Sequence, residues 1–119
     1  MGEQLTYDAD SRLMRVRVWG HDSIGDMQAQ RLEVIRLHEA HGADALLVDV
    51  REQTSSAPLF DLFDFGDTWP TAIQVALLVS TTTPDDILFL ETVAMQRGKK
   101  MRVFFSETEA LAWLDGASA

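Results

Sequence analysis

The spacing of apolar residues changes several times along this 119-residue chain, and each change marks a new element. From Arg12 to Trp19 the alternation is strict, with Met14, Val16 and Val18 on one side and Leu13, Arg15, Arg17 and Trp19 on the other. That is the pattern of a strand with one face in the core. Leu5 to Asp8 forms a shorter strand before it, across a turn of Asp8-Ala9-Asp10-Ser11. So short a connection predicts an antiparallel hairpin. After Gly20 the period lengthens, and Ile24, Met27, Leu32, Val34 and Ile35 recur at helical spacing. Asp22 or Ser23 can cap this helix and Gly42 can end it near His41.

Two nearly continuous apolar runs follow, Ala45 to Val50 and Ile73 to Val79. Such runs read as strands buried on both faces. Between them the spacing predicts a polar loop from Arg51 to Ala57, then a helix opened by Pro58, running to about Thr68 and stopped by Pro70. Thr83-Pro84-Asp85-Asp86 predicts another helix start, with a cap, a first-position proline and acids near the positive pole. That helix runs to Arg97 and Gly98 closes it. Met101 to Phe105 is a strand, and Ser106 with Glu109 forms a capping box opening a last helix that ends near Gly116. The order is β-β-α-β-α-β-α-β-α, and alternating strands and helices imply right-handed parallel crossovers. The expectation is a single α/β domain over residues 1–119, with a mixed, mostly parallel sheet of about five strands and four helices, disordered at residues 1–3 and 116–119.

Composition adds exclusions. A hydrophobic fraction of 46% and a charged fraction of 24% are ordinary for a globular chain. There are no cysteines, which removes disulfides, thiolate metal sites and cysteine nucleophiles. The first residues lack the apolar core of a signal peptide, and no run is long enough for a membrane helix. The expectation is therefore a cytoplasmic protein without membrane insertion. A net charge of −9 makes nucleic acid a poor partner. The basic residues cluster at Arg12, Arg15 and Arg17 and at Arg97, Lys99, Lys100 and Arg102.

The element order and the local text together resemble the SpoIIAA-like family, within the STAS and CRAL-TRIO-like fold group. The segments that carry the likeness are LLVDVR from Leu46 to Arg51, VALLV from Val75 to Val79, and FLETVAMQRG from Phe89 to Gly98. RVFF from Arg102 to Phe105 and EALAWL from Glu109 to Leu114 complete it. The resemblance implies a phosphorylation-controlled partner-binding module or a small-ligand binder. Members that switch by phosphorylation present a serine in an Asp-Ser-Ser-Gly loop, at a helix start after the central strand. The corresponding segment here runs from Asp49 to Pro58, and Ser55 and Ser56 stand where the phosphoacceptor would be. No aspartate precedes this pair, and Ala57 and Pro58 follow it in place of glycine.

Several residues are candidates for chemistry, each with a plainer alternative. Ser55 and Ser56 precede a helix, whose N-terminus favours anions, or they simply cap it. In that helix Leu59, Leu62, Phe63, Phe65 and Trp69 share one arc, with Asp61, Asp64 and Asp67 opposite and Phe60 beside the acids. It can lid an apolar pocket, supply a dimer surface, or be an ordinary amphipathic helix. Its aspartates do not converge on one ion, so no metal is expected. His38 and His41 share a helix without an evident third ligand, and His38 falls on the apolar arc together with Arg31. Asp49 ends a buried strand at the edge where open α/β folds place ligands. Glu91 falls on an apolar arc and needs a partner, sought first among the arginines. Arg15 and Arg17 bind an anionic partner or pair with surface acids.

No nucleotide-binding, hydrolase, zincin or calcium-loop motif occurs. The leading expectation is a non-enzymatic binding or regulatory module of the STAS type, without cofactor, catalytic residue or metal. Its surface spans Arg51 to Pro58 and Leu59 to Trp69, with Asp49, Arg51, Ser55, Ser56, Phe60, Phe63 and Trp69 contacting another protein or a second copy in a homodimer. The alternative is a small apolar ligand or lipid in a pocket under helix 59–69. A third reading, an enzyme using Asp49, His21 or Glu91 as acid or base, has the least support.

Overall fold

The alternation of strands and helices read from the sequence is present in the computed structural model, which describes residues 2–56 and 59–116 and, at Ser56, Leu59, Phe60, Leu62 and Phe63, the backbone alone. The elements are β1 (Gly2–Asp8), β2 (Leu13–Asp22), α1 (Ile24–His41), β3 (Ala45–Ser56), α2 (Leu59–Asp67), β4 (Gln74–Leu78), α3 (Asp85–Gln96), β5 (Met101–Phe104) and α4 (Glu107–Gly116). The strands lie in sequence order in one five-stranded sheet. β1 and β2 form the antiparallel hairpin, and every later pairing is parallel.

Because each parallel crossover is right-handed and the sheet always grows in one direction, α1, α2 and α3 all fall on one face. There Met14, Val16, Val18, Leu46 and Val75 from the strands pack with Met27, Val34, Trp69, Ile87 and Leu90. α4 follows the last strand and covers the opposite face, where Ala110 and Leu114 meet Leu47, Ala76 and Leu78. β3 and β4 are thus buried on both faces, as their unbroken apolar runs predict.

Local signals explain most element ends. Ser23 caps α1: its Oγ accepts from the Asp26 N–H at 3.1 Å, and the Asp26 carboxylate accepts from the Ser23 N–H at 3.4 Å. Gly42 ends α1 with φ +69°, the left-handed turn that glycine adopts without Cβ strain. Ser106 Oγ accepts from the Glu109 N–H at 3.3 Å at the start of α4. Thr83 is not the cap of α3. Its hydroxyl accepts from the Ser80 N–H at 2.9 Å, and Pro84 occupies the cap position.

Three further expectations are corrected. Gly2 and Glu3 are not disordered; they pair with Trp19 and Val18 in β1. Leu32 is 66% exposed, because at about 100° per residue it lies across α1 from Met27 and Val34. Arg51 to Ser56 is not a loop. β2 continues to Asp22, and its extension offers ladder partners for β3, Trp19 to Glu52, Gly20 to Gln53, His21 to Ser55 and Asp22 to Ser56. The polar composition of that stretch reads as loop only because an edge extension needs no apolar face. Pro58 as the first residue of α2 lies outside the described residues. Among the described residues no helix is long and apolar enough to cross a membrane.

Candidate functional site

Between α1, α2 and the sheet the packing leaves a cavity of about 80 Å³. Its apolar lining includes Val16 and Val18 of β2, Leu46, Val48 and Val50 of β3, and Val75 and Leu77 of β4. The layer above the strands is formed by the helices. Phe65 and Trp69, from α2 and just beyond it, close that side, their rings tilted at 45° with centroids 5.7 Å apart. Trp69 is 4% exposed, and its indole N–H donates to the Ile73 carbonyl at 3.3 Å. Its ring is therefore free to act as wall with its one donor satisfied. Arg31 of α1 lies over the Phe65 ring at 4.9 Å and donates to Thr68 Oγ1 at 2.7 Å, tying α1 to α2.

The cavity lining also has polar side chains. Glu3 of β1, Asp22 of β2, Gln30 of α1 and Gln53 of β3 all line it. Asp22 and Gln53 are each only 6% exposed. Asp22 faces inward because it continues the alternation of Met14, Val16 and Val18, two residues at a time. Gln53 faces inward because of an irregularity: β2 advances from Arg17 to Trp19 while β3 advances from Asp49 to Glu52. The extra residue in β3 shifts the alternation, so Val50 and Gln53 both face the cavity while Arg51 and Glu52 face outward.

The Glu3 and Asp22 carboxyls are hydrogen-bonded to each other. Burial, that hydrogen bond and the charges of Asp22 and Asp26 push Glu3 up to about 9. Burial also raises Asp22, while the hydrogen bond from Glu3 works against that rise. Glu3 is thus the partner that carries the proton near neutrality, since two adjacent buried carboxylates cannot both ionise cheaply. Two buried polar atoms there have no hydrogen-bond partner, Glu3 Oε2 and Gln30 Nε2. Buried polar groups are ordinarily satisfied, and these two are exceptions with less than 1 Å² of accessible surface each.

No family model and no curated protein matches this chain. A solved structure does: an uncharacterized protein of the DUF3478 family from Shewanella loihica, described as having a SpoIIAA-like fold, with a TM-score of 0.63 over 95% of this chain and 92% of that one. The fold is SpoIIAA-like. At 16% sequence identity the likeness carries the architecture and not an activity.

In this SpoIIAA-like fold the residues singled out from the sequence fall in separate places. Ser55 is exposed on β3, its Oγ 2.7 Å from His21 Nδ1. The side chains of Ser56, Phe60 and Phe63 lie outside the described residues. Asp49 and Arg51 face away from the cavity, toward α4. The Arg51 guanidinium donates to Asp49 Oδ1 at 3.0 Å and Oδ2 at 2.7 Å, and also approaches Glu107 at 3.7 Å. Burial alone raises Asp49, but the hydrogen bonds and charge of Arg51, with Arg17, outweigh it and hold the carboxyl below its usual value. Arg15 pairs with Glu107 at 3.5 Å and Arg17 with Glu52 at 2.6 Å, so both arginines meet acids of the chain itself.

Among the described residues the partner shown for Glu91 is a backbone group, not an arginine. Its Oε2 accepts the Val103 N–H at 2.5 Å. His38 Nδ1 lies 2.7 Å from the Ala43 carbonyl, and His41 stacks on Tyr7 at 5.1 Å. Asp49, His21 and Glu91, the acid–base candidates, each have a different partner. The cavity's polar residues were not among the candidates. Only Asp22 and Gln30 left a trace in the sequence, on the inward register of β2 and one turn from Met27.

Proposed function

We propose that this chain is a non-enzymatic binding module that takes a small, largely apolar ligand into the cavity between α1, α2 and the sheet. The observation that carries this reading is the cavity itself, bounded mostly by apolar side chains, Phe65 and Trp69 among them, with a few polar side chains in its lining. Ligand sites have that form, apolar walls with a few convergent polar groups. The burial of Trp69 favours this reading over an aromatic docking surface, for which Trp69 would have to face solvent. At about 80 Å³ the space suits a ligand of only a few heavy atoms, well below the ~300 Å³ of sites for drug-sized molecules. An acyl lipid fits only if α2 moves.

The test is native mass spectrometry of freshly purified protein against its denatured mass, with Val48→Phe as control. Val48 is half-buried in the cavity wall, and the added phenyl group occupies the space. The expected result is a non-covalent adduct on the wild type, lost on denaturation and absent from Val48→Phe. A wild-type protein that carries no adduct and takes up no small apolar compound when soaked rejects the reading. A mass gain of a phosphate that survives denaturation supports Ser55 or Ser56 as a phosphoacceptor instead.

A further inference from the structure

A second concavity, an open groove of about 480 Å³, lies where the end of α3 meets the amino ends of β4 and β5 and the side of α4. Among the described residues Met101 is the one side chain it shares with the cavity lining. The groove is lined by three cations, Lys99, Lys100 and Arg102, and by no acid among the described residues. That is unexpected in a chain with 19 acids and 10 bases. Elsewhere Arg15, Arg17, Arg36, Arg51 and Arg97 each meet a carboxylate. Among the described residues none pairs with Lys99, Lys100 or Arg102. Helix capping does not account for the lysines. The carbonyls of Val93, Ala94 and Met95 at the end of α3 accept from the N–H groups of Arg97, Gly98 and Lys99.

Apolar surface stands beside these cations. Arg102 rests over the Phe104 ring at 5.6 Å, and Phe104 tilts against Trp113 with centroids 5.5 Å apart. Trp113 is half-buried in the lining, and Met95 across from it is 63% exposed. We propose that this groove is a second binding site, for a phosphate monoester of a small ring compound. The proposal is independent of the cavity reading. Two ammonium groups and one guanidinium match a doubly charged phosphate, which the Arg102 fork can grip through two oxygens. The ring then lies against Met95 and Trp113. The chain's charge of −9 does not forbid this. Asp85 and Asp86 begin α3, about 15 Å along the helix from Met95, beyond the Debye length of about 10 Å at 0.1 M salt. Asp115 stands two positions past Trp113, about 200° round α4, outside the lining. A long polyanion would run out of the groove onto acidic surface. The volume falls within the ~300–1,000 Å³ of small-ligand sites.

The experiment is an NMR titration of the full chain with phenyl phosphate, inorganic phosphate, benzoate, benzylamine and a capped tetraglutamate peptide. It follows the Trp113 indole N–H and the Gly98 and Lys100 amides, with the Trp69 indole N–H reporting on the cavity. Phenyl phosphate is expected to shift the groove signals, leave Trp69 unmoved, and bind about tenfold tighter than inorganic phosphate or benzoate. Burying about 60 Å² of ring surface supplies that factor over inorganic phosphate. Lys100 and Arg102 are exposed, so Lys100→Gln with Arg102→Gln should fold as the wild type does. That double variant is expected to bind phenyl phosphate at least about tenfold more weakly. Met95→Ser is expected to narrow the margin over inorganic phosphate. Equal binding of phenyl phosphate and inorganic phosphate overturns the proposal, as does tightest binding by benzylamine or unaltered affinity in the double variant. Tightest binding by the peptide overturns it in favour of an acidic protein segment. A shift at Trp69 without one at Trp113 puts the anion in the cavity and overturns the groove site alone.

Discussion

Glu3 shows how one residue's surroundings set its charge. Its carboxyl lies beside Asp22, in the lining of a mostly apolar space. There the neutral form is favoured, and Glu3 is raised to about 9, first by burial and then by Asp22 and Asp26. An acid whose value is higher in the folded state holds a proton that the unfolded chain releases. Stability is therefore greatest below the unfolded value, near 4.5, and declines as pH rises from there towards 9. Glu3→Gln keeps the shape and has no proton to hold. The melting temperature of Glu3→Gln is expected to match wild type near pH 5 and to exceed it by about 5 °C at pH 8, with a flatter pH profile. Melts followed by circular dichroism across that range check it. Parallel profiles for the two proteins would show that Glu3 ionises in the fold as it does in the unfolded chain.

At the scale of elements, the far edge of the sheet is the point of exposure. Among the described residues β5 pairs with β4 alone, and its outward N–H groups are open to another strand. Val103 offers one of these, and Glu91 reaches from α3 to accept it at 2.5 Å. The glutamate thus blunts an edge and anchors a helix to it. Replacing it by alanine leaves a part-buried N–H without its charged acceptor, a loss of about 1.5–3 kcal/mol. Glu91→Ala is expected to lower the melting temperature and to associate at high concentration, read by light scattering. α2 and α3 meet at Gly66, where an added Cβ would stand 3.2 Å from Val93 Cγ1 and 3.7 Å from Leu90 Cδ2. Gly66→Leu is expected to push α2 off α3 at a cost of about 1–3 kcal/mol, measured by denaturant unfolding, and to enlarge the cavity mouth.

For the molecule as a whole, charge and packing act in opposite directions. A net charge of −9 repels itself, and the ion pairs set against it are mostly exposed. Exposed pairs contribute little, whereas repulsion acts over the Debye length of about 10 Å at 0.1 M salt. Screening is therefore expected to help more than it harms. Raising sodium chloride from about 20 mM to about 200 mM should raise the melting temperature by a few degrees. A fall would mean that the arginine–carboxylate pairs around Glu107 dominate. The cavity is the other global term. Filling it with Val48→Phe is expected to leave stability unchanged or raise it by about 0.5–2 kcal/mol, even as it removes ligand binding. Few core enlargements behave so, because most have no space to enter.

Periods of two and 3.6 residues, an apolar run, a serine three positions before a glutamate and a glycine after a histidine were sufficient for nine elements in the right order. These signals are local, and so a sequence contains them. The SpoIIAA-like fold follows, since right-handed crossovers leave such an order few arrangements. The candidate site was different. Ser55, Asp49 and Arg51 stood out because their residue types did, yet they face outward. Glu3 and Gln53 come from two elements far apart in the chain, and each is unremarkable in its own neighbourhood. A bulge in β3 turns Gln53 inward, toward a space lined by side chains of several strands and helices. Where a side chain lands after a register shift, and what volume its neighbours fail to fill, are sums over distant residues. Only the tertiary structure performs them.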